Sequence, residues 1–314
     1  MSRGKRLLVT GGAGFIGSHT ADRLVAAGYE VAVLDNLSTG RVENVPPAAR
    51  FFPHDINSRE AAELIRSWQP RALLHFAAQV SVSCSVRDPL GDARENILGS
   101  LNLLTAAAQA GVEKVVFAST GGAMYGDEAP APARETDPAT PESPYAIAKL
   151  AVEHYLRFFG RQHRMTPVSL RYANVYGPRQ SGQGEAGVVA IFTEKFLAGE
   201  QPVIHGDGRQ TRDFLYVTDA VAAALLALDY PGAGVFNIGT GQETDILTIG
   251  RRLKELTGAR QDAAHGPPKA GEQRRSALDS SRAAAALGWQ PQVDLEEGLR
   301  RTVAAFREQR AAMP

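Results

Sequence analysis

Leu7-Leu8-Val9-Thr10-Gly11-Gly12-Ala13-Gly14-Phe15-Ile16-Gly17-Ser18-His19 decides how this chain folds. A short apolar run leads straight into a glycine-rich turn, and a helical stretch over Ser18–Ala27 follows, ending at Gly28. That order predicts a strand, a tight turn and a helix. The glycines satisfy two spacings: G-x-x-G-x-x-G through Gly11, Gly14 and Gly17, and G-x-G-x-x-G through Gly12, Gly14 and Gly17. Residues without a Cβ allow the reversal, close approach of the backbone to a pyrophosphate, and close packing of helix on strand. The helix start then presents free N–H groups and the positive end of its dipole to phosphate. Val31–Leu34 reads as the second strand, and Asp35 closes it 18 residues after Gly17. An acidic side chain there hydrogen-bonds an adenosine ribose and repels a 2′-phosphate, which favours NAD over NADP. Asp55-Ile56 is placed to meet the adenine edge, and Phe76-Ala77-Ala78 ends a later strand with small residues along the cofactor's path.

The same rhythm repeats outward. Ser58–Trp68 reads as a helix, Ala72–Phe76 as a strand, Glu95–Ala110 as a helix stopped by Gly111, and Lys114–Ala118 as a strand. Tyr145–Phe159 is helical and Val168–Tyr172 is another strand. Strands alternating with helices predict an α/β fold with a doubly wound parallel sheet. After about Tyr176 the rhythm breaks at Gly177-Pro178, and the Gly- and Gln-rich stretch through Gly187 reads as a domain boundary. Asp219–Leu228 is helical, Val235–Ile238 reads as one further strand of the first sheet, and helices follow at Ile246–Thr257 and Leu295–Arg310.

Bulk properties narrow the class. With 44% hydrophobic and 22% charged residues among 314, the chain has the profile of a soluble globular protein. Its 34 basic and 34 acidic side chains cancel, so it carries no electrostatic footprint for nucleic acid or an anionic membrane. The single cysteine, Cys84, excludes an internal disulfide framework and a cysteine-rich metal site, and suits a reducing compartment. No His, Asp and Glu cluster has metal-ligand spacing. The basic start is followed by too short an apolar stretch for a signal peptide, and no apolar run approaches the ~20 residues that span a bilayer. A cytoplasmic location is expected.

In Ser143-Pro144-Tyr145-Ala146-Ile147-Ala148-Lys149, a helix puts Tyr145 and Lys149 on one face, four residues apart. Ser143 fits the N-cap and Pro144 the first helical position. A phenol beside an ammonium has a lowered pKa, which would let a tyrosine act as a base near neutral pH.

Together these residues resemble an extended short-chain dehydrogenase/reductase, and specifically the bacterial UDP-glucose 4-epimerase group. The resemblance runs in order through Thr10–His19, Asp35–Gly40, His75–Ala78, Ser119-Thr120 ahead of Tyr125-Gly126, Tyr145 with Lys149, and Arg171–Asn174. It continues through Gly206–Gly208, Thr211–Phe214 and Phe236–Gly239. It implies a Rossmann-like NAD domain over 1–177 plus about 214–241. A smaller α/β nucleotide-sugar domain would take about 178–213 and 242–314. The cofactor contacts it implies are Gly11, Gly14, Phe15, Ile16, Asp35, Asn36, Ser38, Gly40, Asp55, Ile56, Phe76, Ala77, Ala78, Asn96, Ser119, Tyr145, Lys149 and Tyr172.

By the same resemblance Tyr145 is the base, and Lys149 holds the nicotinamide ribose while lowering the tyrosine pKa. The hydroxyl partner, counted from Phe117, is Thr120, with Ser119 in reserve. Counting back from Tyr125 lands instead on Gly121, because Gly121-Gly122 add a residue. Dehydratases and decarboxylases of this fold often carry an acid at this glycine pair, so its absence argues against 4,6-dehydration. The implied reaction is reversible oxidation at C4 of a UDP-hexose, UDP-glucose or UDP-galactose, with hydride returned to the opposite face. Rivals are a UDP-glucuronate epimerase or decarboxylase, a dTDP-sugar 4,6-dehydratase, and a non-catalytic NAD-binding protein.

Arg212 and Lys269 would grip the diphosphate; Lys269 stands where relatives have arginine, so the grip would be either looser or shared with Arg274 or Arg275. Asn174 and Glu272 would join the substrate site, and Val188, Val189 and His205 would line the uridine pocket, although such residues also suit a core. Val80 stands where some epimerases place a cofactor-contacting lysine. His19 reads as a helix-packing residue. Ser276 falls where a small side chain leaves room for a C2 N-acetyl group, so the N-acetylglucosamine pair is expected to be accepted as well. The helices Glu95–Ala110 and Tyr145–Phe159 correspond to those that pair relatives as homodimers.

Overall fold

A computed structural model describes residues 3–182, 187–268 and 273–311. In chain order its elements are β1 (Arg6–Thr10), α1 (Phe15–Ala26), β2 (Glu30–Leu34), β3 (Arg50–Phe52), α2 (Arg59–Trp68), β4 (Ala72–His75), α3 (Val82–Arg87), α4 (Pro89–Ala93), α5 (Gly99–Gln109), β5 (Lys114–Thr120) and α6 (Pro144–Gln162). There follow β6 (Thr166–Tyr172), β7 (Asn174–Tyr176), α7 (Val188–Ala198), β8 (Val203–His205), β9 (Thr211–Tyr216), α8 (Val217–Asp229), β10 (Gly234–Ile238), β11 (Glu243–Asp245), α9 (Ile246–Thr257), β12 (Ala264–Gly266), α10 (Ser281–Leu287) and α11 (Leu295–Ala311).

Seven strands form one parallel sheet in the order β10-β6-β5-β4-β1-β2-β3. Its apolar runs are buried on both faces, as a helix-covered parallel sheet requires. Along β1, Leu7 and Val9 enter one core while Leu8 enters the other, and in β4 Ala72 and Leu74 oppose Leu73 in the same way. The chain leaves β1 for β2 on one side and returns to β4 on the other. The carboxyl ends of β1 and β4 therefore flank the crevice where this fold binds ligands. A third core gathers Tyr176, Phe192, Phe214, Ile249 and Leu299 around a small sheet, β11-β9-β7. That sheet takes strands from both sides of the expected domain boundary. β8 and β12 form a separate parallel pair.

The helices and strands read from periodicity fall where expected, with Ile246–Thr257 matching to the residue, whereas α7 and β9 were not among them. The stretch expected as one helix over Glu95–Ala110 is interrupted: Arg94–Leu98 forms a π turn before α5 begins at Gly99. The Asn96 side chain, within that turn, bonds back to Asp92 and Gln79. α3 and α4 precede it, α4 being capped by Asp88 through the Gly91 N–H (2.9 Å). No helix among the described residues is long and apolar enough to cross a membrane.

Candidate active site

The glycine turn is built as its spacing demands. Gly11 has φ +69°, and a Cβ there would stand 2.6 Å from the Ala77 nitrogen at the end of β4. A Cβ on Gly17 would lie 2.1 Å from the Gly11 carbonyl oxygen, so α1 packs directly on the turn. Gly14 is the N-cap of α1 and supplies no side-chain cap, which leaves the first-turn N–H groups of Phe15 and Ile16 for an anion. Phe15 meets His19 edge-on, and His19 Nε2 lies 2.9 Å from the Pro178 carbonyl, the packing role expected of it. Asp35 is buried and accepts from the Ala13 N–H (3.0 Å) and the Leu37 N–H (2.8 Å). Each carboxylate oxygen keeps a further lone pair for a ribose hydroxyl. Gly40 comes so close that a Cβ would sit 3.0 Å from Asp35 Oδ1.

Asn36 donates to Asp55 Oδ2 (2.7 Å) and accepts from the Ser38 N–H (3.0 Å). Burial pushes the Asp55 carboxyl up, but hydrogen bonds from Asn57 and Asn36 outweigh it and hold it below the ordinary range. Ile56 is buried against Gly99, and its carbonyl accepts from Asn102 (2.7 Å). These side chains and the glycine turn share the carboxyl edge of the sheet with Phe76, Ala77 and Ala78, whose Phe76 N–H donates to the Thr10 carbonyl (3.0 Å). The cradle fits a dinucleotide.

Across the crevice, β5 ends in Ser119 and Thr120. Both reach α6, at different heights. Thr120 is hydrogen-bonded to the Tyr145 hydroxyl. Ser119 Oγ instead donates to Glu153 Oε1 (2.5 Å). Between them Lys149 Nζ donates to the Ala118 carbonyl (3.0 Å), 4.8 Å from the Phe117 ring centroid and 5.8 Å from that of Tyr145. Tyr145, Lys149 and Glu153 therefore form one stripe along α6.

The electrostatics correct one expectation. Burial pushes Tyr145 up to about 12, Asp92 adds to the rise, and the Thr120 hydrogen bond opposes it. Burial also brings Lys149 down to about 8, against the pull of Asp92 and Glu153. Burial thus dominates the phenol, in place of the lowering expected from the ammonium.

Beyond Thr120 the sugar-facing candidates converge in part. A Cβ on Gly122 would lie 3.2 Å from Asn174 Oδ1 and 3.9 Å from Ser276 Oγ. Ser276 Oγ donates to the Gly122 carbonyl (3.4 Å). Gly121 is differently placed: a Cβ there would strike Leu278 at 2.4 Å, so its bareness serves packing. Arg212 lies on β9 and donates to the Thr211 carbonyl (2.8 Å). Val188 opens α7, whereas Val189 is fully buried in the third core. His205 Nδ1 is 3.1 Å from the Pro267 carbonyl. Tyr172 is turned away from the cluster: it packs in the main core with its hydroxyl on the Ala220 carbonyl (3.2 Å), and what it offers Gly121 is its carbonyl (2.7 Å). Lys269 and Glu272 lie outside the described residues.

Sequence reasoning missed the polar frame behind these groups. Arg171 forks onto Glu153 through Nε (3.0 Å) and Nη2 (2.7 Å), and its Nη1 donates to the Tyr125 hydroxyl (2.9 Å), which donates to Asn237 Oδ1 (2.7 Å). His75 bridges Thr10 Oγ1 (2.7 Å) and Ser100 Oγ (2.9 Å). Ser100 spends its proton on the Asn96 carbonyl (2.6 Å), so His75 carries its proton on Nε2. The only local signal was the i, i+4, i+8 recurrence of Tyr145, Lys149 and Glu153.

The model of the NAD dependent epimerase/dehydratase family matches residues 7–239. The chain belongs to that family. Among its relatives, the UDP-glucose 4-epimerase of Mycolicibacterium smegmatis is 46% identical over 308 residues, covering 96% of this chain and 98% of that one. Among solved structures, the UDP-glucose 4-epimerase of Thermotoga maritima with UDP-glucose is 50% identical at a TM-score of 0.95, covering 97% of this chain and 99% of that chain. The UDP-glucose 4-epimerase of Thermus thermophilus in complex with NAD is 48% identical at a TM-score of 0.92, covering 96% and 99%.

Proposed function

We propose that this chain is an NAD-dependent 4-epimerase of a UDP-hexose, interconverting UDP-glucose and UDP-galactose by transient oxidation at C4. The observation that carries this reading is the Thr120–Tyr145–Lys149 cluster at the end of β5, across the sheet edge from a glycine cradle fitted to a dinucleotide. Gly11, Gly14, Phe15, Ile16 and Asp35 would hold NAD, with Lys149 at its nicotinamide ribose. NAD, when bound, supplies the hydride acceptor and gives the hydride back. Tyr145 removes the proton from O4 and later returns it, and Thr120, hydrogen-bonded to the phenol, fixes the line of that transfer. Ser119, committed to Glu153, is a frame residue in this scheme. Arg212 takes the diphosphate by charge and fork geometry.

Gly122 supports epimerisation over 4,6-dehydration, because a glycine and not an acid faces Asn174 and Ser276 at this position. The same open corner supports acceptance of a C2 N-acetyl group. Residues 178–213 and 242–314 would form the nucleotide-sugar side and the remainder the cofactor side. A homodimer is supported by Ile147, Tyr155 and Phe158, which α6 leaves exposed, and by Leu98 of the π turn (57% exposed). Ala151, His154, Tyr155 and Phe158 line a groove of about 450 Å³ on that face. The free Cys84 supports a cytoplasmic location.

Incubation with UDP-glucose, UDP-galactose and their N-acetylated counterparts, read by mass and sugar stereochemistry, tests the reading. C4 inversion without mass change is expected, and loss of water or carbon dioxide would replace it with a rival. Tyr145→Phe should lower kcat by roughly 10²–10⁴-fold; a variant that epimerises at the parent rate refutes the assignment.

A further inference from the structure

Asp92 is 2% exposed and sits on α4, which packs against α6. Its Oδ1 accepts from Gln79 Nε2 (2.9 Å) and Asn96 Nδ2 (2.9 Å). Its Oδ2 is buried and has no hydrogen-bond partner among the described residues. A buried carboxylate oxygen left bare is costly unless a charge compensates it.

The charges around it leave one candidate. Lys149 is 4% exposed, and its ammonium donates to a neutral carbonyl, that of Ala118. Glu153, one turn further along α6, is spent on Arg171 of β6 and on Ser119. On β4, His75 is neutral, burial having brought it down to about 3. On α3, Arg87 is turned to Cys84 Sγ (3.0 Å). Glu95, in the π turn, accepts from Asn57 (3.2 Å).

We propose that Asp92 is the counter-ion of Lys149, a positioning residue whose carboxylate offsets the charge of the buried ammonium before substrate arrives. Its charge acts on both groups, raising Lys149 against burial and raising Tyr145 with it. The proposal rests on the reading of Tyr145 and Lys149 as the reacting pair, but its test needs no turnover.

The chain has six lysines, so the ¹³Cε signal of Lys149 in labelled full-length protein is assignable by its loss in Lys149→Arg. Asp92→Asn keeps an oxygen for Gln79 and Asn96 while removing the charge. Its Lys149 should titrate about one pH unit or more below the parent's. An unchanged Lys149 titration overturns the proposal. If Asp92→Asn does not fold, the parent decides: the Lys149 signal should show a second inflection where the Asp92 carboxyl titrates, and its absence is equally fatal. An active Tyr145→Phe would sink the epimerase reading and leave this titration unaffected.

Discussion

Ser119 and Thr120 are neighbours of similar chemistry, and their partners separate their duties. Thr120 meets the Tyr145 hydroxyl, whereas Ser119 is one of two donors to a buried carboxylate oxygen. Thr120→Val should therefore cut kcat by about 10²-fold with little change in stability. Ser119→Ala should cost about 1–3 kcal/mol in urea unfolding, because Glu153 loses a donor, and leave kcat nearly intact. The reverse pattern would exchange their roles. His75 gives a second check at this scale. With its folded-state pKa depressed from 6.5 to about 3, the unfolded chain binds a proton there over that window and the native state does not. Its contribution to stability is thus present above about pH 6.5 and is lost as pH falls toward 3. Nitrogen NMR should find a neutral imidazole protonated on Nε2 at pH 5; a charged ring there would contradict the bonding to Thr10 and Ser100. Tyr145 and Lys149 were legible because one helical turn joins them. Asp92 was not, since a carboxylate in Asp88-Pro89-Leu90-Gly91-Asp92 reads as a solvated turn until tertiary packing buries it.

At the scale of elements, the glycine turn carries the fold because backbone atoms meet where a side chain would stand. Gly17→Ala should destabilise the protein by about 1–3 kcal/mol or more, since its Cβ must displace the Gly11 carbonyl at 2.1 Å, and NAD affinity should fall with it. Denaturant unfolding and NAD titration read both losses, and a neutral alanine would mean that α1 does not seat on the turn. The longer strands of the parallel sheet and the helices that alternate with them were legible along the chain, whereas α7 and β9, past the break at Gly177-Pro178 where that alternation stops, were not read. β3, β7, β8, β11 and β12 are three residues each, too short to show alternation, and their pairing depends on partners far away in sequence. The π turn over Arg94–Leu98 was hidden for another reason: its apolar pattern is helical, and the extra residue follows from Asn96 bonding to Gln79 and Asp92.

For the whole molecule, the alternation of strands and helices specified the parallel sheet and its carboxyl-edge site, while the small sheet β11-β9-β7 blurs any single cut between two domains. The apolar face of α6 makes its own prediction. Light scattering should give twice the 33.6 kDa chain mass, and Phe158→Glu should return it to one chain without altering the fold. A monomeric parent at micromolar concentration would remove the dimer. The central claim concerns the whole catalytic cycle: oxidation at C4 is undone within the same pocket, by the same proton-handling pair. UDP-galactose deuterated at C4 tests it most directly. The product should be UDP-glucose of unchanged mass with the deuterium still at C4. Deuterium lost to solvent, or a product lighter by water or carbon dioxide, would contradict it.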